Sequence, residues 1–222
     1  MINVALDGPS GAGKSTIARA AAKAFDFTYI DTGAMFRSLA LKALSCGIDI
    51  KADPQAVEQM LSHTSLDISR SGDAQLMILD GSDVTGLIRT PEVSKAASDI
   101  AVIPFVRTWL LDTERTMAER YNCIMDGRDI GTSVLPDAQV KIFLTASAEA
   151  RATRRLAELK EKGIDVSYDE VLAEMKYRDE QDSNRSVSPL KKADDAIVAD
   201  TTELNLQQSI DLVCDIIRKV IC

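Results

Sequence analysis

Two hydrophobic rhythms alternate along the chain. Residues 2 to 6 form a short apolar run of β type that breaks at Asp7-Gly8-Pro9, and after a glycine-rich turn Ser15 to Phe25 carry apolar positions at helical spacing. Phe27 to Ile30 predicts a second strand ended by Asp31-Thr32-Gly33, and Ala34 to about Leu44 predicts a helix that turns Phe36, Leu39, Ala40 and Ala43 toward a core. Cys123 to Met125 and Val140 to Leu144 are apolar runs, each followed by a polar turn and a helical segment, and Ala196 to Ala199 repeats the pattern before a last helix from about Asn205 to Val220. Strands that alternate with helices predict an α/β fold, a parallel sheet with helices on both faces.

Residues 65 to 90 break this rhythm. Leu66 and Ile68 alternate with polar positions, Ser71-Gly72-Asp73 turns, Leu76 to Leu79 extend and Asp80-Gly81-Ser82 turns again, which predicts a small antiparallel β insert. Helices at about 92 to 101 and 105 to 121 lead back to the main sheet, with Pro104 as the break between them. At 222 residues the chain fits one core with an appended subdomain better than two independent folding units. It carries no repeat, linker or low-complexity tract.

Lys plus Arg is 26 against 34 Asp plus Glu, a net charge of −8, which argues against a surface that coats nucleic acid or anionic membrane. Aromatic residues are only 5% of the chain, too few for a stacking platform for single strands. Cys46, Cys123, Cys214 and Cys222 form no C-x-x-C pair and the single histidine, His63, has no neighbour at metal-ligand spacing, so a structural zinc site is not expected. The cysteines read as buried small hydrophobes, with Cys222 at a frayed end, and Trp109, Met117 and Met125 as core. The opening run is too short and lacks the basic leader of a signal peptide, and no apolar stretch approaches the roughly 20 residues a bilayer span needs. The expectation is a cytoplasmic monomer with reduced thiols and no obligate protein partner.

Gly8-Pro9-Ser10-Gly11-Ala12-Gly13-Lys14-Ser15-Thr16 satisfies G-x-x-x-x-G-K-[ST] between a strand and a helix, the context that makes this pattern a phosphate-binding loop. Glycines let successive N–H groups face phosphate oxygens, the helix N-terminus adds partial positive charge, Lys14 reaches the β and γ phosphates, and the Ser15 hydroxyl is suited to Mg²⁺. The loop predicts ATP or GTP binding. No N-K-x-D base reader is present, and Asp126-Gly127 stands where a hydrolase would carry Asp-Glu, so transfer to an acceptor is favoured over hydrolysis.

Six arginines fall between 128 and 185 of this acidic chain. Arg128 follows the strand Cys123 to Met125, at the sheet edge where α/β proteins place ligands, and its bland reading is an ion pair with Asp126 or Asp129. Arg151, Arg154 and Arg155 lie at i, i+3 and i+4, on one side of a helix, where an anion would relieve their repulsion; the bland reading pairs Glu158 with Arg154. Glu161 to Asp165 breaks that helix and offers a hinge. Arg178, Asp182 and Arg185 form an alternating-sign stripe, a pattern more often a solvated face than a site. Arg37 and Phe36 follow Asp31-Thr32-Gly33 at the same sheet edge, with Phe36 either core or a face for a base.

Taken together, G-P-S-G-A-G-K-S-T, D-T-G-A-M-F-R, I-R-T-P-E-V with A-A-S, D-G-R-D-I-G-T and R-D-E-Q-D-S-N-R-S resemble, in order and over nearly the whole chain, the bacterial-type cytidylate kinases among the P-loop nucleoside monophosphate kinases. The resemblance implies a P-loop NTPase-type sheet in one domain, 1–222, with a core at 1–62 and 92–222, a nucleotide-monophosphate-binding insert at about 63–91 and a helical lid at about 148–165. It implies transfer of the γ-phosphate of ATP, with Mg²⁺, to CMP and dCMP in pyrimidine nucleotide metabolism. Ser10, Arg37 and Arg128 are implied for the CMP phosphate, Ser98, Arg107 and Asp129 for cytosine, Arg178 and Asp182 for the ribose, and Arg185 near the phosphates. Arg151, Arg154 and Arg155 are implied in or beside the lid over ATP, as catalytic residues that with Lys14, Arg128 and Mg²⁺ neutralise the moving phosphoryl group. Thr32 stands where the family often has Ser and keeps the hydroxyl; Phe36 stands where Tyr is usual and keeps the ring.

Cytosine pairs an amino donor with the N3 acceptor, so an acceptor carboxylate and a donor arginine, Asp129 and Arg107, distinguish it from uracil. Two other classes remain open at this stage: a kinase for UMP or another phosphorylated acceptor, and a nucleotide-sensing protein that binds without turnover.

Overall fold

The computed structural model describes residues 1–71, 74–161, 163–184 and 187–221. In chain order the elements are β1 (Asn3–Asp7), α1 (Lys14–Phe25), β2 (Thr28–Asp31), α2 (Thr32–Ser45), α3 (Pro54–Ser62), β3 (Leu66–Ser71), β4 (Ala74–Leu79), β5 (Ser82–Asp83), α4 (Pro91–Ile100), α5 (Pro104–Arg120), β6 (Cys123–Gly127), β7 (Val140–Thr145), α6 (Ala148–Glu161), α7 (Tyr168–Asn184), β8 (Ile197–Asp200) and α8 (Leu206–Ile221). The chain divides into two compact units, Met1–Tyr29 with Tyr121–Cys222, and Ile30–Arg120.

The first unit is built on a five-stranded sheet in the order β2-β6-β1-β7-β8. β1 pairs in parallel with β6, from Asn3 opposite Cys123 to Asp7 opposite Gly127, and with β7, from Val4 opposite Val140 to Asp7 opposite Phe143. β7 pairs in parallel with β8 from Ile142 opposite Ile197 to Thr145 opposite Asp200. This register brings the carboxyl ends of β1 and β6 level, with β7 running two residues further, so the loops after Asp7 and Gly127 leave the sheet side by side. On one face Val4, Leu6, Ile124, Ile142 and Leu144 pack with Ile17, Ala18 and Ala21 of α1 and with Val213 and Ile217 of α8. Ala5 and Met125, pointing the other way, are equally sealed from water, which is why these strands read as unbroken apolar runs.

α6 and α7 are held together by Ala152, Val171 and Met175, flanked by Leu156, Leu159 and Tyr168. The break expected after Glu161 is present: Gly163 takes a left-handed φ of 72°, and the Gly163 and Ile164 N–H groups close the helix on the Lys160 and Leu159 carbonyls.

In the second unit β3, β4 and β5 form the expected antiparallel sheet, with Leu66 opposite Leu79 and Leu79 opposite Ser82. The two-residue connection Asp80-Gly81 has positive φ at both positions, the turn that matches strand twist. α2 packs on α4. Pro104 separates α4 from α5 by opening the second helix, where a missing N–H costs nothing. α3 has no counterpart in the sequence reading, although Asp53 caps it by accepting from the Ala56 N–H at 2.9 Å and Pro54 sits in its first turn.

Met117 and Met125 are buried, as are Cys123 and Cys214, while Cys46 is exposed, which corrects the expectation that it is a core residue; it lies at the end of α2, past the last buried turn. Cys222 falls outside the described residues. His63 is exposed at the end of α3. Among the described residues no helix is long and apolar enough to cross a membrane, and no group of three or more His, Cys, Asp or Glu side chains is gathered to hold a metal ion.

Candidate active site

Gly8 leaves β1 against the backbone of β7, where a Cβ would collide with the Leu144 carbonyl. No larger residue fits that approach. The loop then turns through Gly13, whose φ of 86° ends it in a left-handed step, and α1 begins at Lys14 with no side-chain cap on its N–H groups, the arrangement that suits an anion. Lys14 folds back so that its ammonium donates to the Pro9 carbonyl at 2.8 Å and leaves only 7% of the residue exposed. Burial, with Arg128 nearby, pushes its pKa down to about 7, against the opposing pull of Asp126, Asp7 and Asp182.

The Ser15 hydroxyl donates to Asp126 Oδ2 at 2.8 Å, and the Tyr29 phenol donates to Asp126 Oδ1 at 3.0 Å. A hydroxyl and a carboxylate side by side at a phosphate loop are hard oxygen donors of the type Mg²⁺ takes, with phosphate and water completing its shell, so the residues fit that ion without a larger acidic cluster.

Asp7, at the end of β1, is 4% exposed and accepts the Ile130 N–H at 2.8 Å and the Gly131 N–H at 2.7 Å. Burial raises its pKa to about 6, opposed first by those two backbone bonds, with Asp129 adding to the rise and Lys14 opposing it. Residues Ile130–Val134 form one wide helical turn, closed by Val134 N–H on the Asp129 carbonyl at 3.2 Å and Leu135 N–H on the Ile130 carbonyl at 2.7 Å. Asp7 thus anchors the turn that follows Arg128 and Asp129.

Arg128 Nε donates to Asp182 Oδ2 at 2.7 Å, a partner on α7, 54 positions away, and not either of the neighbouring aspartates that the bland reading offered. Arg178 lies one turn before Asp182, and its pKa is lowered by burial and then by Arg128, opposed by Asp182 and Glu174, with Arg155 adding to the fall. Arg128, Arg178 and Asp182, three of the predicted residues, are therefore gathered beside Lys14. Arg185 falls outside the described residues.

The three arginines of α6 have separate tasks. Arg151 is buried at 4% exposure, donates to the Ser10 and Ala146 carbonyls at 2.8 and 3.0 Å, and grips both oxygens of Asp179 at 3.1 and 2.6 Å. Arg154 donates to the Thr201 carbonyl at 2.5 Å and the Leu204 carbonyl at 3.3 Å, fastening the loop before α8. Arg155 pairs at 3.0 Å with Glu158, the carboxylate that the bland reading gave to Arg154, while Arg154 points at the loop before α8. Helical spacing correctly puts them near one another but does not reveal that one is buried, one staples backbone and one faces solvent.

In the second unit Thr32, Phe36 and Arg37 lie on the first two turns of α2. Arg107, on α5, sits over the Phe36 ring at 5.5 Å from its centroid and donates to the Ala101 carbonyl at 3.3 Å, so the half-buried Phe36 has a cationic neighbour. Ser98 is exposed on α4 and donates to the Ser94 carbonyl at 3.4 Å. Asp31 caps α2 by accepting from the Ala34 N–H at 2.8 Å and holds Arg37 at 3.0 Å. The sequence reading assigned no binding or catalytic role to Asp7, Tyr29, Asp31, Asp126 or Asp179, Asp126 entering only as a possible ion-pair partner of Arg128; four of the five are carboxylates, and the signal for Asp7, Asp31 and Asp126 was their shared place at the end of a strand.

Residues 4–219 match the family model described as Cytidylate kinase. A cytidylate kinase from Caldanaerobacter subterraneus subsp. tengcongensis is 50% identical over 218 residues, covering 98% of this chain and 95% of the relative. One from Caldicellulosiruptor saccharolyticus is 48% identical over 220 residues, covering 99% and 97%, and one from Carboxydothermus hydrogenoformans is 46% identical over 218 residues, covering 98% of each. With a phosphate loop, an oxygen-donor pair and an arginine–aspartate cluster at the strand ends, and this likeness running through them, the chain belongs to the cytidylate kinase family.

Proposed function

We propose that this protein transfers the γ-phosphoryl group of ATP to CMP, and to dCMP, giving ADP with CDP or dCDP. The observation that carries the reading is the gathering of Lys14, Arg128 and Arg178 with the Ser15–Asp126 pair at the ends of β1 and β6 in a chain of net charge −8. Cations collected against the molecule's overall sign answer to polyanionic substrates.

In the transfer, an oxygen of the CMP phosphate forms the new bond to the γ-phosphorus while the bond from that phosphorus to the β–γ bridging oxygen breaks, the electron pair leaving with ADP. The attacking oxygen is already deprotonated at neutral pH, so no general base is needed, in keeping with a lone, exposed His63. The loose transition state spreads charge over the equatorial oxygens, and the protein's contribution is alignment and charge stabilisation. The loop Gly8 to Thr16 cradles the ATP phosphates, with Lys14 turning from the Pro9 carbonyl to the β and γ groups. Ser15 and Asp126 would hold Mg²⁺, which when bound offsets phosphate charge.

Arg128 leaves Asp182 for the phosphates, together with Ser10, Arg37 and Arg185, and Asp182 and Arg178 turn to the ribose. Asp129 accepts from the cytosine amino group, Arg107 and Ser98 donate to its acceptors, and the Phe36 ring and Thr32 hydroxyl line the same nucleotide. Arg155, the exposed member of the α6 trio, joins the ATP phosphates; Arg151 and Arg154 act by holding the Ser10 and Thr201 carbonyls.

The test is a panel of nucleoside monophosphates with ATP and Mg²⁺, read as ADP and diphosphate formed. CMP and dCMP are expected to lead UMP, AMP and GMP. A different leading acceptor sinks the substrate assignment, and tight binding of ATP and CMP with no CDP sinks the catalytic one.

A further inference from the structure

The Asp31 carboxylate serves three donors. Oδ1 accepts the Ala34 N–H at 2.8 Å, while Oδ2 faces two guanidiniums, Arg37 Nη2 at 3.0 Å and Arg89 Nη2 at 3.5 Å. The carboxylate side chain is 8% exposed, Arg37 21% and Arg89 56%, so the cluster opens to solvent through Arg89. Its charge is two positives against one negative. Arg37 Nε is in addition buried without a hydrogen-bond partner among the described residues. A Cβ on Gly33 would press on Arg37 Nη1 at 3.1 Å and on Asp31 Oδ1 at 3.2 Å, so the packing at this corner is built around the guanidinium.

Arg89 comes to this cluster from far along the chain and on a pinned backbone. Ile88 before it is 1% exposed, and Thr90 after it caps α4, its hydroxyl accepting the Val93 N–H at 3.2 Å. The residues on either side are fixed while the side chain itself is half in water. An exposed pair at 3.5 Å contributes little to stability, so fold maintenance does not account for this placement. What two guanidiniums on one carboxylate do suit is a ligand with more negative charge than that carboxylate, and a phosphate monoester dianion has it along with the oxygens to accept from both forks.

We propose that Arg89 is a further guanidinium for the phosphate of the nucleoside monophosphate, added to Arg37 and Arg128 and held beside Arg37 by Asp31; this rests on the reading of the chain as a CMP-phosphorylating enzyme. Arg89 and Arg37 share the load, and Asp31 keeps them from repelling one another.

The experiment is steady-state kinetics of the full chain, with CMP varied at saturating ATP and ATP varied at saturating CMP, for wild type, Arg89→Met and Arg89→Lys. Arg89→Met is expected to raise the KM for CMP roughly 10- to 100-fold, the loss of a charge-assisted contact. The KM for ATP and the melting temperature stay at the wild-type values, and Arg89→Lys recovers part of the loss. Inhibition by cytidine, which has no phosphate, is expected to be equal in wild type and Arg89→Met. A KM for CMP within twofold of wild type, a parallel rise in the KM for ATP, or an equal loss for cytidine overturns the assignment. Should Arg89→Met melt early, Arg89→Lys decides: a wild-type melt with a raised KM for CMP alone supports it, and wild-type kinetics overturn it. A wild type that makes no CDP removes the CMP reading itself, an outcome distinct from an active wild type indifferent to position 89.

Discussion

Arg151 on α6 donates to the Ser10 carbonyl at 2.8 Å while both oxygens of Asp179 on α7 hold the same guanidinium, so one side chain ties the phosphate loop to two helices. Replacing it with methionine keeps much of the volume and removes every one of these bonds. Asp179 loses its partner and the Ser10 carbonyl its donor. Arg151→Met is expected to lose roughly 3 kcal/mol of stability, as breaking a largely buried pair does, and to weaken ATP binding through a loosened loop. Denaturant unfolding and ATP titration check both; a variant with wild-type stability and ATP affinity removes the clamp from the account.

Arg128 is bound to Asp182 at 2.7 Å and lies close enough to Lys14 and Arg178 to lower both their pKa values. Arg128→Ala is expected to depress turnover by two or more orders of magnitude, on the order of the loss seen when a donor aimed at transition-state charge is deleted. The circular dichroism spectrum stays that of the wild type. Near-normal turnover takes Arg128 out of the mechanism.

Asp129, 7% exposed at the start of the wide turn that Asp7 anchors, is the acceptor proposed for the cytosine amino group. In Asp129→Ala the ratio of kcat/KM for CMP to that for UMP is expected to collapse by roughly 100-fold, since a site that hydrogen-bonds a substrate group discriminates by that contact. An unchanged ratio assigns the discrimination elsewhere.

Lys14 has a pKa of about 7, so it is largely neutral at pH 8. Phosphate oxygens favour its charged form, and ATP binding at pH 8 is therefore expected to take up close to one proton, falling toward none at about pH 6. ATP affinity accordingly declines as pH rises above about 7. The folding linkage has the opposite slope: the folded chain binds fewer protons than the unfolded one between about 7 and 10.5, so Lys14 makes stability rise with pH across that window. Calorimetry of ATP binding at pH 8 in buffers of different ionisation enthalpy measures the uptake, with Lys14→Met as the control that lacks it. Heats independent of buffer contradict the neutral lysine.

What the sequence made legible is what depends on near neighbours. β1, the glycine loop and α1 are written in consecutive residues, and the antiparallel insert shows in the alternation of Leu66 and Ile68 and the Asp80-Gly81 turn. α3 was legible in principle from Asp53-Pro54, but Val57, Met60 and Leu61 give it too short an apolar stripe to stand out. The wide turn after Asp129 was not, because its N–H groups are satisfied by Asp7, more than 120 positions earlier. The arginines divide in the same way. Spacing puts Arg151, Arg154 and Arg155 on neighbouring faces of a helix, yet their fates are decided by Asp179, the Thr201 carbonyl and Glu158, of which only the last is local.

The Arg128–Asp182 pair gives the protein an internal standard for what it admits. A chloride or a lone carboxylate arriving from solution meets an arginine already satisfied by an anchored acid and has no advantage over it. On the proposed reading a nucleotide would displace that acid, because it brings more charge and, in its sugar, hydroxyls for the released Asp182 to accept from. Selectivity for whole nucleotides over stray anions would then be set by an aspartate that guards the arginine until the right molecule gives it something else to hold.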